Sequence, residues 1–357
     1  MNASGTVFRV TLFGESHGPG VGAVIDGVPA GLAVDLASMR AQLARRRPGQ
    51  SKLTTQRQEP DEPEFLSGLR DGVATGAPVT VFIRNTDVDT RPYDAIRDLA
   101  RPGHADFGAW AKWGEARDHR GGGAFSARTT APLVAAGAIA RQILGPIRIA
   151  AHVTAIGGIG VPQEIPFEQL AGADLHPTRC ADPASAALME HAIQRARSDG
   201  DSVGGIVEAR AVGLPAGWGG PGAGGLESAL AAALLAIPAA RGVEFGAGFR
   251  AAGMRGSEHN DAFQVDGAGR ITTRTNHAGG ILGGISTGMP LVVRVAFKPT
   301  SSIARPQDTV DLRALRPATI EVRGRHDPCV VPRAVPIVEA CLACVLADEK
   351  LKSGGGA

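Results

Sequence analysis

The feature that most constrains this chain is that it repeats itself. Residues 14–31 read GESHGPGVGAVIDGVPAG and residues 200–217 read GDSVGGIVEARAVGLPAG, with nine of eighteen positions identical without a gap. Later, GVATGAP at 72–78 matches GISTGMP at 284–290, and APLV at 131–134 resembles VPIV at 335–338, in the same order. The pattern implies a duplicated strand–strand–helix–strands–helix unit, over about 6–144 and 199–347, with about 145–198 lying between the copies. The period is far too long for a solenoid. Strands joined by short turns favour antiparallel pairing, so the expected class is α+β. Residues 1–352 are expected to form one domain and 353–357, rich in glycine, a flexible tail. A ligand site is expected where unlike loops of the two copies meet.

Composition excludes several classes of function. No apolar run is long enough to span a bilayer. The N-terminus reads as lacking a secretory signal, so a cytoplasmic protein with no membrane partner is expected. A net charge of +2 and 4% aromatic residues leave little for nucleic-acid binding. Cys180, Cys329, Cys341 and Cys344 have no framework spacing. Cys341 and Cys344 fall inside an apolar helical run, where packing is the expected role. No His/Cys/Asp cluster has metal-ligand spacing, so no metal is expected.

Comparing the copies isolates what the fold does not need twice. His17 stands where the second copy has Val203, which favours a functional role for the histidine. The stretch 101–128, RPGHADFGAWAKWGEARDHRGGGAFSAR, has no counterpart. It carries four Arg, two His and six Gly, is costly to order and adds little core, so function is its expected purpose. Ser126 and Arg128 lead into an apolar helix, a donor-rich start suited to an anion. The basic run 45–52, RRRPGQSK, leaves a helix C-terminus, where cations suit the macrodipole. Three consecutive arginines cannot share one face, so one is expected to reach a ligand. Lys298 to Ser302, KPTSS, suits phosphate or is simply a Ser/Thr-rich turn. Asp327, in GRHDP, is either functional, or a cap of the following helix, or a partner of Arg325. No Walker loop, Rossmann fingerprint or serine triad is present.

Taken together, FGESHG, RRRPGQS, RPGHAD, RGGGAFSAR, GVEFGAGF, NHAGGILGGIS, KPTSSI and GRHDPC, in that order, resemble the chorismate synthase family. The likeness runs from about Phe8 to Leu346. It implies a helical layer between two antiparallel sheets, a homotetramer, and conversion of 5-enolpyruvylshikimate 3-phosphate to chorismate by anti-1,4-elimination of phosphate, the last step of the shikimate pathway. It also implies dependence on reduced FMN without net redox change. No nucleotide-binding domain for NADPH is recognisable in the sequence, so an external flavin reductant is expected. By the resemblance, His17 would protonate the departing phosphate, His104 would stabilise or protonate the reduced flavin, and Asp327 would be the base relaying a proton. Arg46, Lys52, Arg101, Ser126, Arg128 and Arg325 would bind substrate. Phe125, Ser126, Pro238, Ala239, Gly283, Lys298, Pro299, Thr300, Ser301, Ser302 and Arg325 would line the FMN site. The chain departs from common family patterns in having Lys52 for Arg, Ala124-Phe125 for Arg-Ser, and Pro238 for Asn.

Overall fold

The computed structural model describes residues 2–51, 53–54, 57–322 and 326–354. The first sheet contains β1 (Arg9–Gly14), β2 (Gly20–Asp26), β3 (Pro63–Ser67) and β4 (Val79–Arg84). Its order is Ala3–Ser4, β1, β2, β4, β3, and every pairing is antiparallel. The second contains β5 (Arg148–Ile156), β6 (Gly205–Val212), β7 (Ala240–Phe245) and β8 (Leu291–Phe297). Its order is Ile159–Gly160, β5, β6, β8, β7, again antiparallel throughout.

Between the sheets lie α1 (Leu36–Arg46), α2 (Thr130–Leu144), α3 (Leu226–Leu235) and α4 (Val331–Lys352). α2 packs on β2 and β4, α4 packs on β5 and β6, and the two helices pack on each other. Both are apolar nearly all round, which is how a helix reads when sheets cover two sides of it. They pack closely at Gly137, where an added Cβ would stand 2.6 Å from the Ala340 Cα. The class is therefore α+β.

The two sheets share one strand order. Arg148–Ile156 occupies in the second sheet the place of Arg9–Gly14 in the first, although the sequence placed it between the copies. We propose that the second copy starts near Arg148. Residues 157–204 would then be inserted between its first two strands, where the first copy has only 15–19. β3 ends at Ser67. Gly68, Asp71 and Gly72 adopt positive φ there and turn the chain into a tight hairpin.

Two buried carboxylates fasten the layers. Asp348, near the end of α4, accepts hydrogen bonds from the Thr6, Val7 and Phe8 N–H groups at 3.0, 2.6 and 2.9 Å. Glu339 accepts from Arg45, Arg141 and the Ala151 N–H, joining α1, α2 and β5 to α4. All four cysteines are free and buried. Burial pushes the Cys329 and Cys341 thiols up to about 12, which suits packing and not redox chemistry.

Candidate active site

One cavity of about 1300 Å³ is lined by the first sheet, the helical layer and the ends of β7 and β8 of the second sheet. Its wall gathers His17, Arg46, Arg101, His104, Phe125, Ser126, Arg128, Pro238, Ala239, Lys298, Pro299, Thr300, Ser301, Ser302 and Asp327. These come from the beginning, middle and end of the chain. Gly283 is not in the wall; it occupies a turn with φ +62° between Ile281–Leu282 and Ile285–Thr287. Lys52 and Arg325 lie outside the described residues.

His17 sits in the β1–β2 turn. Its Nδ1 is 3.0 Å from Ser16 Oγ, and its ring and that of Tyr93 form a T-shaped pair with centroids 5.1 Å apart. Burial, and next the charge of Arg57, lower its pKa below the usual histidine value. The glycine run explains itself here. Gly121 has φ +61°, and a Cβ on it would lie 2.2 Å from His17 Cε1.

His104 belongs to a compact cluster. Its Nδ1 is 2.7 Å from Asp106 Oδ1, and Asp106 also receives Arg101 Nε at 2.6 Å and Nη2 at 2.8 Å. Asp106 is the closer, anionic partner of Nδ1, so the ring N–H points to it and Nε2 is left for a ligand. Burial would raise the Asp106 carboxyl, but its bonds to Arg101 and His104 outweigh that and hold it well below the usual range. Arg101 spends a further bond on the Gly121 carbonyl, at 2.8 Å.

Arg46 and Arg128 are 1% and 4% exposed, and most of their donors point into the protein. Arg46 Nη2 is 3.2 Å from Asp61, and Nη1 reaches the Ala127 carbonyl at 3.2 Å. Arg128 bonds Asn85 at 2.7 Å, the Arg84 carbonyl at 2.8 Å, and Asp61. Burial lowers the Arg46 guanidinium to about 9, with Asp61 opposing. It stays charged at neutral pH. Asp61 holds a left-handed backbone, φ +52°, and is fully covered. Arg45 pairs with Glu339 and Asp174 while Arg47 is exposed, so of the three arginines only Arg46 reaches the cavity.

On the opposite wall, Lys298 Nζ donates to Ser301 Oγ at 2.8 Å and to the Gly103 carbonyl. That ties KPTSS to the RPGH turn. The Lys298 N–H donates to the Ala239 carbonyl at 3.0 Å, beside Pro238, and Ala239 itself has φ +71°. Thr300 Oγ1 is buried without a hydrogen-bond partner among the described residues. Asp327 pairs with Arg333 Nη1 at 2.5 Å, and Arg333 Nε donates to the Arg46 carbonyl at 3.2 Å.

Sequence reasoning missed Arg57, Tyr93, His326 and Arg333, which also line the cavity. Arg333 was hidden in an apolar helix and Arg57 in a charged loop. His326 stands next to Asp327 in GRHDP, and that adjacency was the available signal. Burial, then Arg101, lower its ring to about 4, so it is neutral near pH 7, and its buried Nε2 has no hydrogen-bond partner among the described residues.

Cations so concentrated in a nearly neutral protein suit a ligand with several negative charges. The model of the family described as "Chorismate synthase" matches residues 8–351. The chain belongs to the chorismate synthase family. It is thus a carbon–oxygen lyase, an enzyme of the last step of the shikimate pathway. The chorismate synthase of Methanocella arvoryzae is 50% identical over 355 residues, covering 99% of this chain and 95% of that one. That of Porphyromonas gingivalis is 50% identical over 359 residues, covering 100% and 97%. A solved "Crystal Structure of Chorismate Synthase" superposes with a TM-score of 0.78 at 31% identity, covering 99% of this chain and 94% of that one. No helix among the described residues is long and apolar enough to cross a membrane.

Proposed function

We propose that this chain converts 5-enolpyruvylshikimate 3-phosphate to chorismate and phosphate by anti-1,4-elimination in the presence of reduced FMN. The observation that carries the reading is one cavity bringing His17, His104 and Asp327 together with Arg46, Arg57, Arg101, Arg128, Lys298 and Arg333. The substrate's two carboxylates and phosphate match that density of cations. The cavity, about 1300 Å³, exceeds the ~300–1,000 Å³ of an ordinary ligand pocket, and so has room for substrate beside a cofactor.

The residues present fit a flavin nucleotide. Lys298, Pro299, Thr300, Ser301 and Ser302 offer a cation and hydroxyls, and the unpartnered Thr300 Oγ1 suits a phosphate or ring oxygen. Phe125, 42% exposed beside Trp113, offers a flat apolar surface. Ala239, Pro238 and Ser126 complete this wall. When bound, reduced FMN supplies electron chemistry that side chains lack.

The chain's own residues handle protons and charge. His17, with Nδ1 on Ser16, gives a proton to the phosphate oxygen as its bond to carbon breaks. Asp327, oriented by Arg333, is the base that takes up a proton in the relay from substrate carbon 6. His104, fixed by Asp106, presents Nε2 to stabilise anionic charge. A cytoplasmic homotetramer served by an external flavin reductant completes the proposal.

Phosphate release with each of His17→Ala, His104→Ala and Asp327→Ala is the test. Each is expected to lose about 10²–10⁴-fold in kcat while keeping the wild-type melting profile. Wild-type rates in all three variants would overturn the reading.

A further inference from the structure

Within the segment 57–61, RQEPD, Arg57 lines the cavity but has no assigned step in the scheme above, and it reaches the backbone beside His17. Glu59 is 3% exposed and held on its own account. It accepts from Thr86 N–H at 3.0 Å, Thr86 Oγ1 at 2.8 Å and Asp87 N–H at 3.3 Å. The same carboxylate receives the fork of Arg57, Nε at 3.0 Å and Nη2 at 2.5 Å. Arg57 Nη2 also reaches the Ser16 carbonyl at 3.4 Å, one residue from His17. The carboxylate side chain is wholly covered and the guanidinium 17% exposed. Arg57 therefore lies between a fixed anion and the cavity, oriented before any ligand arrives.

The neighbouring arginines are differently employed. Arg128 is anchored on Asn85, the Arg84 carbonyl and Asp61, and Arg101 on Asp106 and Gly121. Around the His17 ring stand Arg57, Arg120, Asp118, the backbone of Asp89, Tyr93 and Ser16. Of the two arginines there, Arg57 lines the cavity and Arg120 does not. A group that accepts a proton from His17 must come within reach of Arg57's charge.

We propose that Arg57, positioned by Glu59, is a ligand for the phosphate group of the substrate beside His17. This rests on the proposed function. A guanidinium there would neutralise the departing phosphate while His17 protonates it.

The test compares dissociation constants for 5-enolpyruvylshikimate 3-phosphate and for its phosphate-free counterpart, by calorimetry, in wild type, Arg57→Ala, Arg57→Lys and the double variant Arg57→Ala/Glu59→Gln. The double variant leaves no buried carboxylate unpaired and keeps the test valid should Arg57→Ala fold poorly. Loss of Arg57 is expected to weaken the phosphate ester by about 10- to 100-fold and the phosphate-free compound by less than about threefold, with Arg57→Lys between. In Arg57→Ala and the double variant the alkaline limb of kcat/KM is expected to move to higher pH, because a positive neighbour of His17 is gone, whereas Arg57→Lys keeps the charge and should leave the limb near its wild-type place. Equal weakening of both compounds, or of neither, together with an unmoved limb, would overturn the role of Arg57. A wild-type protein that neither binds nor turns over the phosphate ester would instead overturn the reading beneath it.

Discussion

Gly121 shows how far a single residue's chemistry depends on what it touches. A methyl group there would collide with the His17 ring at 2.2 Å, on a backbone already at φ +61°. Gly121→Ala is expected to displace His17 and lower kcat by about 100-fold, with a melting temperature within a few degrees of wild type. Steady-state kinetics beside a thermal melt checks this. The lowered pKa of His17 gives a second prediction. An acid works while protonated, so kcat/KM should fall as pH rises through a value below 6.5, the ordinary histidine pKa. The bound phosphate's negative charge raises that pKa, so the limb of kcat should lie higher. A pH profile of both parameters decides it. The glycine run was legible as a place of close approach, and His17 as a residue the fold itself does not require. That one exists to admit the other was not legible, because the contact is non-local. Arg46 and Arg128 stood out as cations, but their counter-charge Asp61 sits in what reads as a solvated acidic loop. Nothing in its local pattern signals burial.

At the scale of elements, α4 does more than fill the core. It meets α2 at Gly137 and Ala340, brings Glu339 to three other elements, and ends with Asp348 on the N-terminal strand region. Burial would raise the Asp348 carboxyl, but its bonds to Lys352 and to the Thr6 and Val7 N–H groups outweigh this and hold it low. A depressed carboxyl contributes stability above its unfolded value, about 3.9, and loses it as pH falls through the folded value. Asp348→Ala should therefore melt several degrees below wild type at pH 7, and the gap should close as pH drops below about 4. A gap that persists unchanged at pH 3 would contradict the assignment. Apolar runs made α2 and α4 readable as helices. The boundary of the second copy was harder. Arg148–Ile156 carries no residue identity with Arg9–Gly14 strong enough to reveal that both occupy the same place in a sheet.

At the scale of the molecule, two sheets of one strand order enclose a helical layer, and the proposed function draws on loops that differ between the two halves. His17, the 101–128 stretch and KPTSS all stand at such places, and α4 brings Arg333 to them. The collinear motifs made the family legible, because each is a short local pattern. The arrangement of charge around the cavity was not, because Glu59, Asp61 and Asp106 act across distance in sequence. The central claim is that this cavity carries out the elimination on 5-enolpyruvylshikimate 3-phosphate with reduced FMN. Anaerobic turnover with photoreduced FMN, following phosphate and chorismate together, tests it most directly. The account predicts equal amounts of both products with reduced FMN present and none without flavin. Full activity without flavin, or phosphate released without chorismate, would contradict it.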